Sequence, residues 1–328
     1  MDFFVGYQMN AGKFLDEIIG NKERIGEVYF SWGSYANGRN SQLRQKGMSP
    51  WEAQRQLEAD LQRLTQAGIP LNILFNAMCY GKDSQSRNFF QGLGDTLDTV
   101  CDRYSLRSVT TTSPLIAKFV KSNFPHLDVR ASVNMDIGTS EGMDYVKEYF
   151  DSFYLQREKN RDLATVRALT AWCADHGKKL YLLANSGCLN HCSARVFHDN
   201  LVAHEEQIAE MDNGYQFRGI CGGYLKDNPI AAVHNTSYIR PEDVHLYEGL
   251  VPAMKLATRV NADPVRILRA YLRGSHSGST LALLEPNHTS TLYPLLLENR
   301  QLTATVRDDR LEYPDAENAL IHLEETIC

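Results

Sequence analysis

The stretch 152-SFYLQREKNRDLATVRALTAWCADHGKKLYLLA-184 holds one complete strand–helix–strand unit. Ser152–Gln156 and Lys179–Ala184 are short apolar runs rich in aromatic and aliphatic residues, the composition of strands buried on both faces. Between them Asp162 opens a helical pattern: Leu163, Val166, Leu169 and Trp172 recur at helical spacing, and Gly177 stops it. Two such runs joined by one helix predict parallel strands linked by a crossover.

Working outward, the same alternation runs through the chain. Further strands are expected at Phe3–Tyr7, Glu27–Trp32, Leu71–Ala77, Ser108–Thr112, Val129–Met135 and Ala253–Thr258, which makes eight with the two above. Ser49-Pro50-Trp51-Glu52 reads as a capping box with proline at the first helical position, followed by a stripe of Leu57, Leu61 and Leu64. Near the other end Asp263 caps Pro264, and Leu268, Tyr271 and Leu272 face inward until Gly274. Eight strands each followed by a helix predict an α/β fold, a single (β/α)8 TIM-type barrel, rather than an open doubly wound sheet. No GxGxxG follows an early strand, so a dinucleotide site lacks its fingerprint.

Two regions interrupt the pattern. Residues 187–249 form a cysteine-bearing insertion after strand 7, too long for a simple connection, with a helix expected over Asn200–Met211. The barrel domain is expected over 1–275, and 276–328 is a short C-terminal extension packed on it. The extension is expected to hold a small hairpin from Leu292–Leu297 and Leu302–Val306 and a closing helix near Ala316–Glu325.

With 328 residues and 43% hydrophobic content the chain can bury a large core. No apolar run reaches the roughly 18 residues of a membrane span. The start, MDFFVGYQMN, lacks the features of a secretory leader, so a cytoplasmic protein with reduced thiols is expected. The net charge of −6 gives no global attraction to nucleic acid, although a local basic patch is compatible with it.

Four of the seven cysteines gather at strand exits: Cys79 after the third strand, and Cys188, Cys192 and Cys221 after the seventh. On a closed barrel those loops converge on one mouth, and four thiolates suit an iron–sulfur cluster or a structural zinc. One CxxxC and two isolated cysteines favour the cluster over two CxxC pairs of zinc type. The competing reading is that they are small buried hydrophobes. The radical-SAM spacing CxxxCxxC is absent, as are HExxH, GxSxG and GxxxxGK[ST].

Polar groups at strand ends supply the remaining candidates. Arg157, Asn185 and His198 are candidates for catalytic roles, His198 as acid or base. Arg157, Asn160 and Arg161 in QREKNRD, with Asn134, Lys255 and Arg259, are candidates for holding an anionic substrate. The alternative for the arginines is pairing with acids such as Glu158.

The ordered segments YLQREKNRDL, LLANSGCLNHCSARVFHDN and SYIRPEDVHLYEGLVPAMKLATR resemble the collagenase-like peptidase U32 family, with Pro241-Glu242-Asp243 and Lys255…Arg259 as the closing elements. The resemblance covers roughly residues 1–275, as a divergent member in which CLNHC with the distant Cys221 is its own variant. It implies a single barrel and similarity to members that bind a 4Fe–4S cluster through four cysteines. Those members act in oxygen-independent hydroxylation of ubiquinone precursors or RNA bases, some as heterodimers with a second family member. Carried over, Cys79, Cys188, Cys192 and Cys221 are the cluster ligands. A hydrolase, as the family's name suggests, and a non-catalytic cluster-binding subunit are the alternatives.

Overall fold

A computed structural model describes residues 1–38, 47–212, 214–215, 217 and 219–323. The eight apolar runs form β1 (Asp2–Gly6), β2 (Ile25–Phe30), β3 (Leu71–Phe75), β4 (Leu106–Thr111), β5 (Asp128–Ala131), β6 (Ser152–Tyr154), β7 (Lys179–Leu183) and β8 (Ala253–Leu256). Each strand pairs in parallel with the next, and β8 pairs with β1, so the sheet closes into the expected barrel. The expected fifth strand is shorter, because Val133–Met135 turns into a 3-10 helix capped by the Ser132 hydroxyl.

Alternation along the strands divides the core in two. Phe3, Val5, Val28, Phe30, Ile73 and Phe75 join the layer between strands and helices. Phe4, Tyr29, Leu74, Tyr154, Tyr181 and Leu183 form a separate cluster in the lumen.

The outer layer comprises α1 (Gly12–Gly20), α2 (Pro50–Gln66), α3 (Arg87–Arg103), α4 (Pro114–Asn123), the short α5 (Ser140–Asp144) and α6 (Leu163–Asp175). In α2 the Ser49 hydroxyl accepts from the Glu52 amide, and the Glu52 carboxylate accepts from the Ser49 amide, as the sequence predicts. Its Leu57, Leu61 and Leu64 are fully buried, and each contributes about 1.5–3 kcal/mol by leaving water. The α6 cap, Asp162 accepting from the Thr165 amide, also stands as read.

After β7 the insertion folds as a lobe of α7 (Arg195–Ala203), α8 (Glu205–Ala209), α9 (Cys221–Asp227) and α10 (Ala231–His234). The single helix expected over Asn200–Met211 is instead two, broken at His204, whose amide bonds to the Leu201 carbonyl. Beyond β8, α11 (Pro264–Arg273) is capped by Asp263 and ends at Gly274 with φ +65°, a left-handed turn that favours glycine.

The C-terminal extension differs from its expected form. After α12 (Thr289–Leu292), β9 (Leu295–Leu297) pairs with β12 (Leu320–His322), and β10 (Thr305–Arg307) pairs with β11 (Arg310–Glu312). The two runs expected to form one hairpin therefore belong to two ribbons. The expected closing helix is a short 3-10 turn, Ala316–Ala319, because Leu320–His322 finds a strand partner in β9. Glu324, Glu325 and Cys328 lie outside the described residues. The extension docks on the barrel through backbone bonds, the Leu311 amide to the Arg161 carbonyl at 2.8 Å and the Leu163 amide to the Asp309 carbonyl at 2.7 Å.

Candidate active site at the barrel mouth

The lumen is polar as well as aromatic. At its floor Arg130 donates to Glu27 at 2.6 Å, to Asp128 at 2.8 Å and to the Ser152 hydroxyl at 3.1 Å. Ser108 donates to Glu27, Asn72 donates to Ser108, and Thr110 donates to Asn72. The guanidinium also lies 4.4 Å from the Tyr181 ring centroid and 4.9 Å from that of Phe4. Burial by itself disfavours the charge, but Glu27, Asp128 and the flanking tyrosines outweigh it and hold the pKa of Arg130 above its usual value. This network sits at the N-terminal ends of the strands, where barrels carry stability rather than chemistry.

The C-terminal mouth is built differently. Arg157 follows β6 in a 3-10 turn and donates one bond, from Nη2 to the Asn134 Oδ1 at 2.7 Å. Among the described residues its buried Nε and Nη1 have no partner. Asn134 is itself placed by the turn after β5 and by the Asn76 carbonyl, with Gly38 packed against both asparagines. A Cβ at Gly38 would lie 3.1 Å from the Asn76 and Asn134 amide nitrogens, so this approach favours glycine.

Beside Arg157 lies an acid–base chain that the sequence did not single out. Arg195, at the head of α7, bridges Asp136 at 2.8 Å and Glu158 at 2.5 Å, and Glu158 also accepts from the His191 amide. Burial raises the carboxyl pKa of Asp136, with Arg195 and Arg157 opposing it, and its Oδ1 has no partner among the described residues. At Glu158 burial pushes the pKa up, but the backbone amides and Arg195 prevail and lower it. The expected arginine–Glu158 pairing therefore exists, through Arg195 rather than Arg157. Local spacing does not announce these pairs, because each partner comes from a different loop.

Arg259 and Lys255 also belong to the lumen and mouth. Arg259 donates to the Asn37 Oδ1 at 3.0 Å. A Cβ at Gly6 would lie 2.5 Å from Arg259 Cγ and 2.7 Å from Tyr29 Cε2, so only glycine lets these side chains cross the lumen. The Lys255 ammonium stands 3.9 Å from the Tyr29 ring centroid and 5.0 Å from that of Tyr154.

Three of the expected site residues donate to backbone carbonyls. Asn185 spends its amide on the Ala257 and Leu283 carbonyls and accepts from the Ala257 amide, which leaves it no group for catalysis. Asn160 is fully buried and donates to the Leu183 carbonyl. Arg161 caps the Val233 and His234 carbonyls and stacks on Tyr313, lining a cavity of about 400 Å³ with Glu158, Asn190 and Arg310. Sequence alone cannot tell such braces from binding groups, since both are polar residues at strand ends.

The thiols occupy the lobe. Burial raises the pKa of Cys221, and the nearby Cys188 and Cys192 raise it further, so these three lie within electrostatic reach of one another. Cys79 stands on the β3 loop, where its sulfur accepts from the Gly81 amide at 3.4 Å. That loop meets the lobe, since a Cβ at Gly81 would lie 3.9 Å from His204 Cε1. His198, exposed on α7, and Cys221 both flank Gly219. Among the described residues no group of three or more His, Cys, Asp or Glu side chains is gathered as a closed metal shell. The fit to a soft metal group is thus one of donor chemistry at three thiols rather than of a completed shell.

No protein-family model matches the chain. An uncharacterized protease of Methanocaldococcus jannaschii is 31% identical over 135 residues, which is 39% of this chain and 39% of that relative's length. A solved U32 peptidase superposes with a TM-score of 0.54 at 14% identity, covering 78% of this chain and 92% of that one, which shows a shared fold. Among the described residues no helix is long and apolar enough to cross a membrane.

Proposed function

From the likeness to the peptidase U32 family, which these comparisons support, we propose an iron–sulfur-dependent enzyme performing oxygen-independent redox chemistry, such as hydroxylation, on an anionic substrate at the barrel mouth. The observation that carries the reading is the buried, unpartnered edge of Arg157, held open by Asn134 beside a lobe bearing three neighbouring thiols. A buried guanidinium with two unused donors is costly unless a ligand completes it, and its fork geometry matches a carboxylate or phosphate.

Cys188, Cys192 and Cys221 would hold the cluster, with Cys79 as fourth ligand. Such a group supplies one-electron transfer. The chain's own residues do the rest. Arg157 binds the anion through Nε and Nη1, and Asn134 fixes its plane. Asp136, whose carboxyl pKa burial raises, holds or releases a proton at Oδ1. Arg195 ties the thiol lobe to this acid through its two ion pairs. His198, beside Cys221 at the solvent edge, relays protons to bulk water.

Purification without oxygen, followed by iron, sulfide and zinc analysis beside a Cys192→Ala variant, tests the reading. About four irons and four sulfides per chain, lost in the variant, are expected. One zinc without sulfide would instead support metal-assisted hydrolysis or a structural role. Protein free of iron and sulfide after anaerobic handling overturns the cluster.

A further inference from the structure

Lys255 is a feature of the lumen that anion binding alone does not explain. It is 7% exposed, points inward from β8 at the level of Phe4 and Leu183, and makes no hydrogen bond or ion pair among the described residues. Its amine faces the rings of Tyr29 and Tyr154. The charged groups around it are the Arg259 and Arg130 guanidiniums on one side of the balance and the Glu27 and Glu285 carboxylates on the other. Glu27 is already committed to Arg130 and Ser108, and Glu285 accepts from the Val260 amide.

A lysine kept for structure would pair with a carboxylate, whereas one kept for phosphate binding would stay charged in water. An amine caged by aromatic faces between two guanidiniums has the surroundings of a nucleophile. Burial is the first cause and Arg259 the second in lowering its pKa to about 7, so much of it is the free base at neutral pH.

We propose that Lys255 is an imine-forming nucleophile for small carbonyl compounds that carry a carboxylate, of the 2-oxo acid class. The Nζ lone pair attacks the carbonyl carbon, and the oxygen takes up a proton to give a carbinolamine. Loss of that oxygen as water leaves an iminium, with no net oxidation or reduction. The positive iminium then draws electrons from an adjacent C–H or C–C bond. The carboxylate is the part that the guanidiniums of the mouth recognise, and here the inference rests on the anion-binding reading of Arg157; the imine itself depends on neither that reading nor the cluster.

The test treats the full chain with pyruvate and sodium cyanoborohydride at pH 7, followed by peptide mass mapping. Reductive alkylation of Lys255 at least tenfold faster than of the half-exposed Lys147 is expected, and acetone should label Lys255 far more slowly than pyruvate does. Lys255→Met, checked for folding by circular dichroism, should lose the fast adduct while its surface lysines react as before. Labelling of Lys255 no faster than of Lys147 overturns the proposal, and equal labelling by acetone and pyruvate overturns the choice of an anionic substrate. In Arg157→Met, slower labelling supports both readings. Undiminished pyruvate-selective labelling there keeps the imine and removes Arg157 as the anion site.

Discussion

The floor and the mouth of this barrel are both polar and buried, yet they are built on opposite principles. At the floor each nitrogen of Arg130 faces an acceptor, and Glu27 is held by Arg130 and Ser108 together. At the mouth, among the described residues, Arg157 uses one of its nitrogens, Asp136 leaves one oxygen without a partner, and Lys255 has no acceptor. A completed network rigidifies and needs nothing more; an incomplete one costs stability that a bound ligand would recover. The contrast separates completed from incomplete charge inside one lumen.

Substitutions at four positions sharpen or break that contrast. Arg130→Ala leaves Glu27 buried without its cation and should destabilise the chain by about 3–5 kcal/mol in urea titration. A loss below 1 kcal/mol would show that the floor network is not the structural element described. Lys255→Met should act in the opposite sense, adding about 1–4 kcal/mol near pH 6–7. Because the folded-state pKa of Lys255 lies below its unfolded value, the unfolded chain binds more protons between about pH 7 and 10.5. Wild-type stability therefore rises with pH across that window, and the gain from Lys255→Met should fade toward pH 10. A pH-independent gain would mean that the amine is not held neutral.

Arg157→Met removes two unpartnered donors and should leave stability unchanged or raise it by about 1–3 kcal/mol, while weakening pyruvate or phosphate binding at least tenfold in calorimetry. Arg157→Lys should not restore that binding, since an ammonium cannot reproduce the fork. Smallest of all, Lys147→Ala breaks an exposed pair with Asp144 and should change stability by less than about 0.5 kcal/mol.

Much of the scaffold was legible from local pattern. The eight strands fall within a few residues of the apolar runs, and the caps at Ser49, Asp162 and Asp263 bond as their sequence positions predict. The extension was not legible, because Leu320–His322 becomes a strand only by meeting Leu295–Leu297 about 25 positions earlier. The site was half legible. Arg157, Lys255 and Arg259 stand in the lumen and mouth where strand ends placed them, while Asn160, Arg161 and Asn185 turned out to brace backbone carbonyls. Glu27 and Arg130 sit within apolar strand runs, where no local pattern marks them, although together they hold the floor.

The sequence by itself determined the barrel, since strand and helix periods, caps and stops are properties of neighbouring residues. It also placed Cys79, Cys188, Arg157 and Arg259 just past the ends of strands. Only the tertiary structure decided which polar groups are satisfied: that Arg195 takes Asp136 and Glu158, that Arg157 keeps a free edge, and that Lys255 faces two rings. Hydrogen-bond satisfaction depends on atoms brought together from separate loops, and no local pattern encodes that meeting.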